Sequence, residues 1–114
     1  MPSYLRNRNT AFICQSQRCF YCGYRMWLSD PEQFAASAGL SLKQTSRLRC
    51  TAEHLLARCE GGKDGPENIV AACLSCNRRR HARRKAMAPS EYKALVLRRV
   101  NSGRWHGPAF HGAL

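Results

Sequence analysis

The chain has 114 residues, and seven cysteines contribute to its 44% hydrophobic content, so large apolar side chains are few. Nineteen Lys and Arg face seven acids, for a formal net charge of +12 and a pI near 10.1, the range of nucleic-acid-binding proteins. Neither a signal peptide nor a membrane span is visible, and no strongly apolar helix face accompanies the charge, so we expect a cytoplasmic setting and no membrane partner.

Residues 1–13 read as a basic lead-in. Cys19-Phe20-Tyr21-Cys22 followed by Gly23 reads as a tight metal-binding turn. Asp30-Pro31-Glu32 is a helix start, with Asp as cap and Pro at the first position, and that helix ends at Gly39. Leu48, Cys50 and Ala52 alternate with Arg47, Arg49 and Thr51, the pattern of a strand with one apolar face. Arg58 to Pro66 is rich in Gly and charge and reads as a loop. Ile69-Val70-Ala71-Ala72 gives a second strand, and residues from about Leu74 to Ala88 give a helix stopped by Pro89. A last helix runs from Ser90, its cap, to about Asn101, with Tyr92, Leu95, Val96 and Val100 as its apolar stripe. The tail, 103–114, is expected to be loose. The expected class is α+β, as one domain over 1–114 with its core at about 19–88.

Two Cys-x-x-Cys pairs, Cys19/Cys22 and Cys73/Cys76, supply four thiolates for a structural zinc, which a small chain with little core gains from. An odd number of cysteines in a reducing compartment argues against a disulfide framework. Cys50 sits on the apolar strand face and reads as core. Cys14 and Cys59 have no ligand role.

A second, mixed oxygen and nitrogen cluster follows. Asn77 and His81, four apart, share one helix face, and with Glu53 they form a candidate site for a divalent ion. The carboxylate and amide favour Mg²⁺ or Mn²⁺, while the imidazole admits Ni²⁺ or Zn²⁺. His54 is the candidate general base, because histidine titrates where water must be deprotonated. Glu53 and His54 would point apart in a regular strand, so the strand is expected to end or twist there. The run Arg78-Arg79-Arg80-His81-Ala82-Arg83-Arg84-Lys85 would ordinarily be a solvated face. Around metal ligands it becomes a phosphate-binding surface, with Arg80 and Arg84 flanking the scissile phosphate and Arg78, Arg79, Arg83 and Lys85 adding field. His106 and His111 receive no role.

The order strand, loop, strand, helix, with Glu53, His54, Gly61-Gly62, Asn68, Asn77 and His81 along it, resembles the ββα-metal (His-Me finger-like) core of the HNH endonucleases. The resemblance covers residues 19–22 and about 48–85. The chain departs from common members at Glu53, where Asp or His is frequent, at Ala57, where Pro is frequent, and at Cys59, where Ser is frequent. The resemblance implies a zinc-stapled ββα nuclease with extra flanking helices that hydrolyses DNA with one divalent ion and leaves 5′-phosphate and 3′-hydroxyl ends. It further implies that a backbone carbonyl near Asn68, which braces the loop, orients His54. A zinc-stabilised nucleic-acid-binding module without catalysis, and an RNase on the same scaffold, are the alternatives. Target sequence and oligomeric state stay open.

Overall fold

The computed structural model describes all 114 residues, Met1 to Leu114. In chain order it contains α1 (Ser3–Cys14), α2 (Pro31–Ala38), α3 (Leu42–Thr45), β1 (Cys50–His54), β2 (Ile69–Cys73), α4 (Leu74–His81) and α5 (Pro89–Asn101). Short 3-10 turns lie at Ser46–Leu48, Arg58–Glu60 and Pro108–Ala113. No helix is long and apolar enough to cross a membrane.

β1 and β2 pair antiparallel, with Cys50 opposite Cys73, Glu53 opposite Val70 and His54 opposite Ile69. β1 ends at His54, where the strand is expected to end or twist. Its burial differs from expectation: Cys50 and Glu53, on opposite faces, are both buried, while Ala52 is half-buried. A buried acid breaks the apolar alternation because its charge is matched, as described below. Burial pushes the Cys50 thiol up to about 12, so it behaves as a small neutral core residue.

α2 forms as its sequence directs. The Asp30 side chain accepts from the Gln33 N–H, Pro31 opens the helix, and Gly39 closes it in the left-handed conformation. α5 begins at Pro89 rather than Ser90, with Ala88 as cap, and its Tyr92 and Val96 are buried. Cys73 ends β2 and caps α4, accepting from the Cys76 N–H, so strand end, candidate metal ligand and helix start share one residue.

Three expectations fail. Residues 1–13 are not a lead-in: α1 packs on both strands, Phe12 joins the core, and the Gln15 side chain bonds both backbone groups of Ala71. α4 stops at His81 instead of near Ala88, since Arg80 reaches across the turn to the Met87 carbonyl and draws the chain back. The tail is not loose. Trp105, His106, Phe110 and Ala113 are buried, and the Arg25 N–H donates to the Ala113 carbonyl. One cluster of twenty buried residues runs from Phe12 through the cysteine turns to Ala113.

Candidate active site and metal centre

The four cysteines converge. Cys19 and Cys22 lie on a turn closed by the Gly23 N–H to the Cys19 carbonyl, with Gly23 at φ +75°. Cys73 and Cys76 lie at the β2–α4 junction. All four are buried, and their sulfurs lie within 4.8 Å of one another, a group able to hold a metal ion. Thiolates at about 2.3 Å from a tetrahedral zinc stand roughly 3.8 Å apart; Cys22 Sγ and Cys73 Sγ are 4.0 Å apart. Donors already surround the sulfurs. The Tyr21 and Cys73 N–H groups point at Cys19 Sγ (3.4 and 3.3 Å), and Trp105 Nε1 donates to Cys76 Sγ at 3.2 Å. Burial raises the Cys19 thiol, but its bonds from Cys22, Cys73 and Cys76 outweigh that and hold it well below the thiol range. The bond with Cys19 pushes Cys73 up, and burial pushes Cys76 up. Such crowding of sulfur charge is what a dication relieves.

His106, unassigned from the sequence, closes this centre. Its Nε2 lies 3.3 Å from Cys22 Sγ, and burial pulls its pKa down to about 4, so a neutral ring hydrogen-bonds the sulfur. A buried Trp-His pair in an aromatic tail was the available signal.

Glu53 is 1% exposed and fully engaged. Oε2 accepts from Tyr21 Oη at 2.9 Å and from Arg80 at 3.0 Å, and Oε1 lies 2.8 Å from His81 Nε2. Burial beside Glu53 raises the Tyr21 phenol, which therefore donates as a neutral hydroxyl. Arg80 is 4% exposed and also donates to the carbonyls of His54, Leu55 and Met87. This corrects its expected place on a phosphate: a buried arginine holding a buried acid has no face for nucleic acid. His81 has a side chain 31% exposed, so the Glu53–His81 pair opens to solvent on the His81 side.

Of the three expected ligands for a catalytic ion, Glu53 and His81 meet. Asn77 makes no hydrogen bond with either; its amide donates to Thr51 Oγ1 at 3.0 Å and the Ala52 carbonyl at 3.3 Å. Arg83, Arg84 and Lys85 are exposed but lie beyond the end of α4, so Arg84 does not share a helix face with Arg80. Arg78 and Arg79 are exposed on α4.

His54 leaves the strand toward the glycine loop. Its Nε2 lies 2.8 Å from Asp64 Oδ1, and Arg58 reaches both groups. Arg58 Nε donates to the same Nε2 at 3.2 Å and its Nη2 to Asp64 Oδ2, while Nδ1 of His54 has no hydrogen-bond partner within the protein. The hydrogen bond from His54, with Arg58 alongside, holds the Asp64 carboxyl below its ordinary range. The group that orients His54 is thus Asp64, not a carbonyl beside Asn68. Asn68 does brace the loop, with Oδ1 accepting the Leu56 N–H and Nδ2 donating to the carbonyls of Leu56 and Lys63. α1 supports the same loop through Asn7 Nδ2 to the Asp64 carbonyl and through Tyr4 under Arg58. The turn needs glycine at 62, because a Cβ there would lie 1.8 Å from the Leu56 carbonyl oxygen. Asp64 was hidden among the charges of this loop.

Two antiparallel strands leading straight into a helix, with an acid and a histidine at the end of the first strand, form a ββα unit with a chemically equipped edge. Residues 41–83 match the family model HNH endonuclease, so this unit is similar to an HNH endonuclease domain. No curated protein and no solved structure matches the chain.

Proposed function

We propose that this chain, as one HNH domain, is a metal-dependent endonuclease that hydrolyses DNA phosphodiester bonds and leaves 5′-phosphate and 3′-hydroxyl ends. The observation carrying the reading is the Glu53–His81 pair: a buried carboxylate with one oxygen fixed by Tyr21 and Arg80 and the other turned to an imidazole at an open edge. Glu53 Oε1 and His81 Nε2, hydrogen-bonded to each other at 2.8 Å here, would be the residues to hold a divalent ion such as Mg²⁺ or Mn²⁺ in place of that bond. A divalent ion bound there supplies charge stabilisation at the scissile phosphate and the leaving 3′-oxygen. His54, held at Nε2 by Asp64, takes a proton from water at Nδ1. Cys19, Cys22, Cys73 and Cys76 hold a structural zinc, and a reducing cytoplasmic setting suits thiols that form no disulfide.

The alternative, a zinc-stabilised nucleic-acid-binding module, is favoured by two observations: Arg80 already neutralises Glu53, and the Asn77 amide is spent on β1. An RNase is the same chemistry on another strand. The test is cleavage of supercoiled plasmid and of RNA across a titration of Mg²⁺ and Mn²⁺. The wild type is expected to cleave only with metal, and His81→Ala is expected to need a higher metal concentration for half-maximal rate, by about 10- to 100-fold. Absence of metal-dependent cleavage of either substrate would award the chain to the binding module.

A further inference from the structure

A cleft of about 410 Å³ lies on the surface between α3 with its following turn and α4. It is within the range of about 300–1,000 Å³ usual for ligand clefts, but its lining is not apolar. Lys43, Arg47, Arg78 and Arg79 bring four cations to it, with Gln44, Ser46 and Ser75, and none of the chain's seven acids is among its lining residues.

A solvated helix face mixes both charge signs, and its long side chains stay mobile. Here two of the four cations are held. The Arg47 guanidinium lies 5.7 Å above the Phe110 ring and that of Arg79 lies 4.4 Å above Trp105, both rings buried. Gln44 is fixed by the capping box with Ser41. The Ser75 hydroxyl lines the cleft and has no hydrogen-bond partner within the protein. Four concentrated positive charges, two of them immobilised, and a free hydroxyl select an anion rich in oxygen acceptors.

The position of the cleft says which anion. Arg78 precedes His81 by three residues and is its neighbour on the surface of α4, whereas Arg80 points into the core. From Ser75 to His81 the helix rises about 9 Å, a span of roughly two to three nucleotides at about 3.4 Å per nucleotide. The cleft and His81 are thus carried by the same short helix, less than two turns apart, with Arg78 between them.

We propose that this cleft seats the phosphodiester backbone of the nucleic-acid substrate next to the reacting phosphate, with Lys43, Arg47, Arg78 and Arg79 as its contacts. The proposal rests on the nuclease reading for its meaning but is testable without it. Contacts of this kind position the strand and carry no base information, so binding through the cleft is indifferent to sequence.

The test is anisotropy of a fluorescein-labelled DNA duplex, in EDTA so that nothing is cut, over a range of salt. Lys43→Gln with Arg78→Gln changes two exposed side chains and is compared with Arg98→Gln with Arg104→Gln, which removes the same charge outside the cleft. The cleft variant is expected to lower the slope of log K against log salt by about 1.8, close to 0.9 per lost contact, on every sequence alike. The control is expected to change it little. An equal loss in both variants would reduce the cleft to net charge and overturn the proposal, as would an unchanged slope in the cleft variant or a wild type that binds no duplex. Plasmid cleavage by the wild type, run in parallel, separates the two readings. Cleavage with an unaffected slope removes the cleft and keeps the nuclease; a lost slope without cleavage keeps the cleft and removes the nuclease.

Discussion

Cys73→Ser is expected to give a chain that does not hold its fold. Cys73 is the last residue of β2, the cap of α4 and one corner of the four-sulfur centre, and it is fully buried. Small structural zinc sites contribute about 10–16 kcal/mol of apparent binding energy to folding, while a whole domain is stable by only about 5–15 kcal/mol. Losing one thiolate of four forfeits a large share of that energy and leaves a small domain with little stability in hand. Cys59 is exposed and outside the centre, so Cys59→Ser is expected to stay within about 0.5 kcal/mol of wild type. Thermal unfolding with elemental analysis measures both. Zinc near one equivalent in wild type and none in Cys73→Ser supports the centre. Well-folded wild type without zinc, or equal tolerance of both substitutions, contradicts it.

The second large effect lies at Arg80. Glu53 and Arg80 form an ion pair at 3.0 Å with both side chains almost wholly buried, and Tyr21 and three backbone carbonyls complete the network. Removing one partner of such a pair leaves a buried uncompensated charge, at a cost of about 3–5 kcal/mol. Arg80→Met is therefore expected to lower stability by that amount, and the double variant with Glu53→Gln is expected to recover part of it. Arg84→Ala, exposed beyond α4, is expected to be nearly neutral in stability. Denaturant unfolding measures all three. An Arg80→Met protein as stable as wild type but weak on DNA would mean that Arg80 serves the nucleic acid after all.

The second strand, α2 and the cysteine turns were legible because each rests on neighbours in sequence: the apolar run 69–72, the Asp30-Pro31 start with its Gly39 stop, and Cys-x-x-Cys with Gly23. The alternation in 48–52 was only partly so, since Leu48 lies in a 3-10 turn and Ala52 is half-buried. The active edge was partly legible, since Glu53, His54 and His81 stand out as chemistry without a structural need. What escaped depends on contacts far apart in the chain. Arg80 is one of several identical arginines, and only its pairing with Glu53, 27 residues away, distinguishes it. Residues 82–88 contain good helix formers, yet the chain turns because Arg80 takes the Met87 carbonyl. Only Phe12 of α1 is buried, so the helix gains its order from the sheet it covers, and the tail gains its order from the four-cysteine cluster through Trp105 and His106. Asp64 looked like any loop acid until His54 was beside it.

Cleavage of plasmid DNA by His54→Ala, with duplex binding measured on the same preparation, tests the central claim most directly. His54 Nε2 contacts Asp64 and Arg58 and its Nδ1 has no partner in the protein, the arrangement a general base at this position would use. The variant is expected to lose metal-dependent cleavage by about 10²- to 10⁴-fold, to bind duplex as tightly as wild type, and to keep its zinc. Wild-type cleavage rates in His54→Ala, or a loss of cleavage matched by an equal loss of binding, would contradict the account.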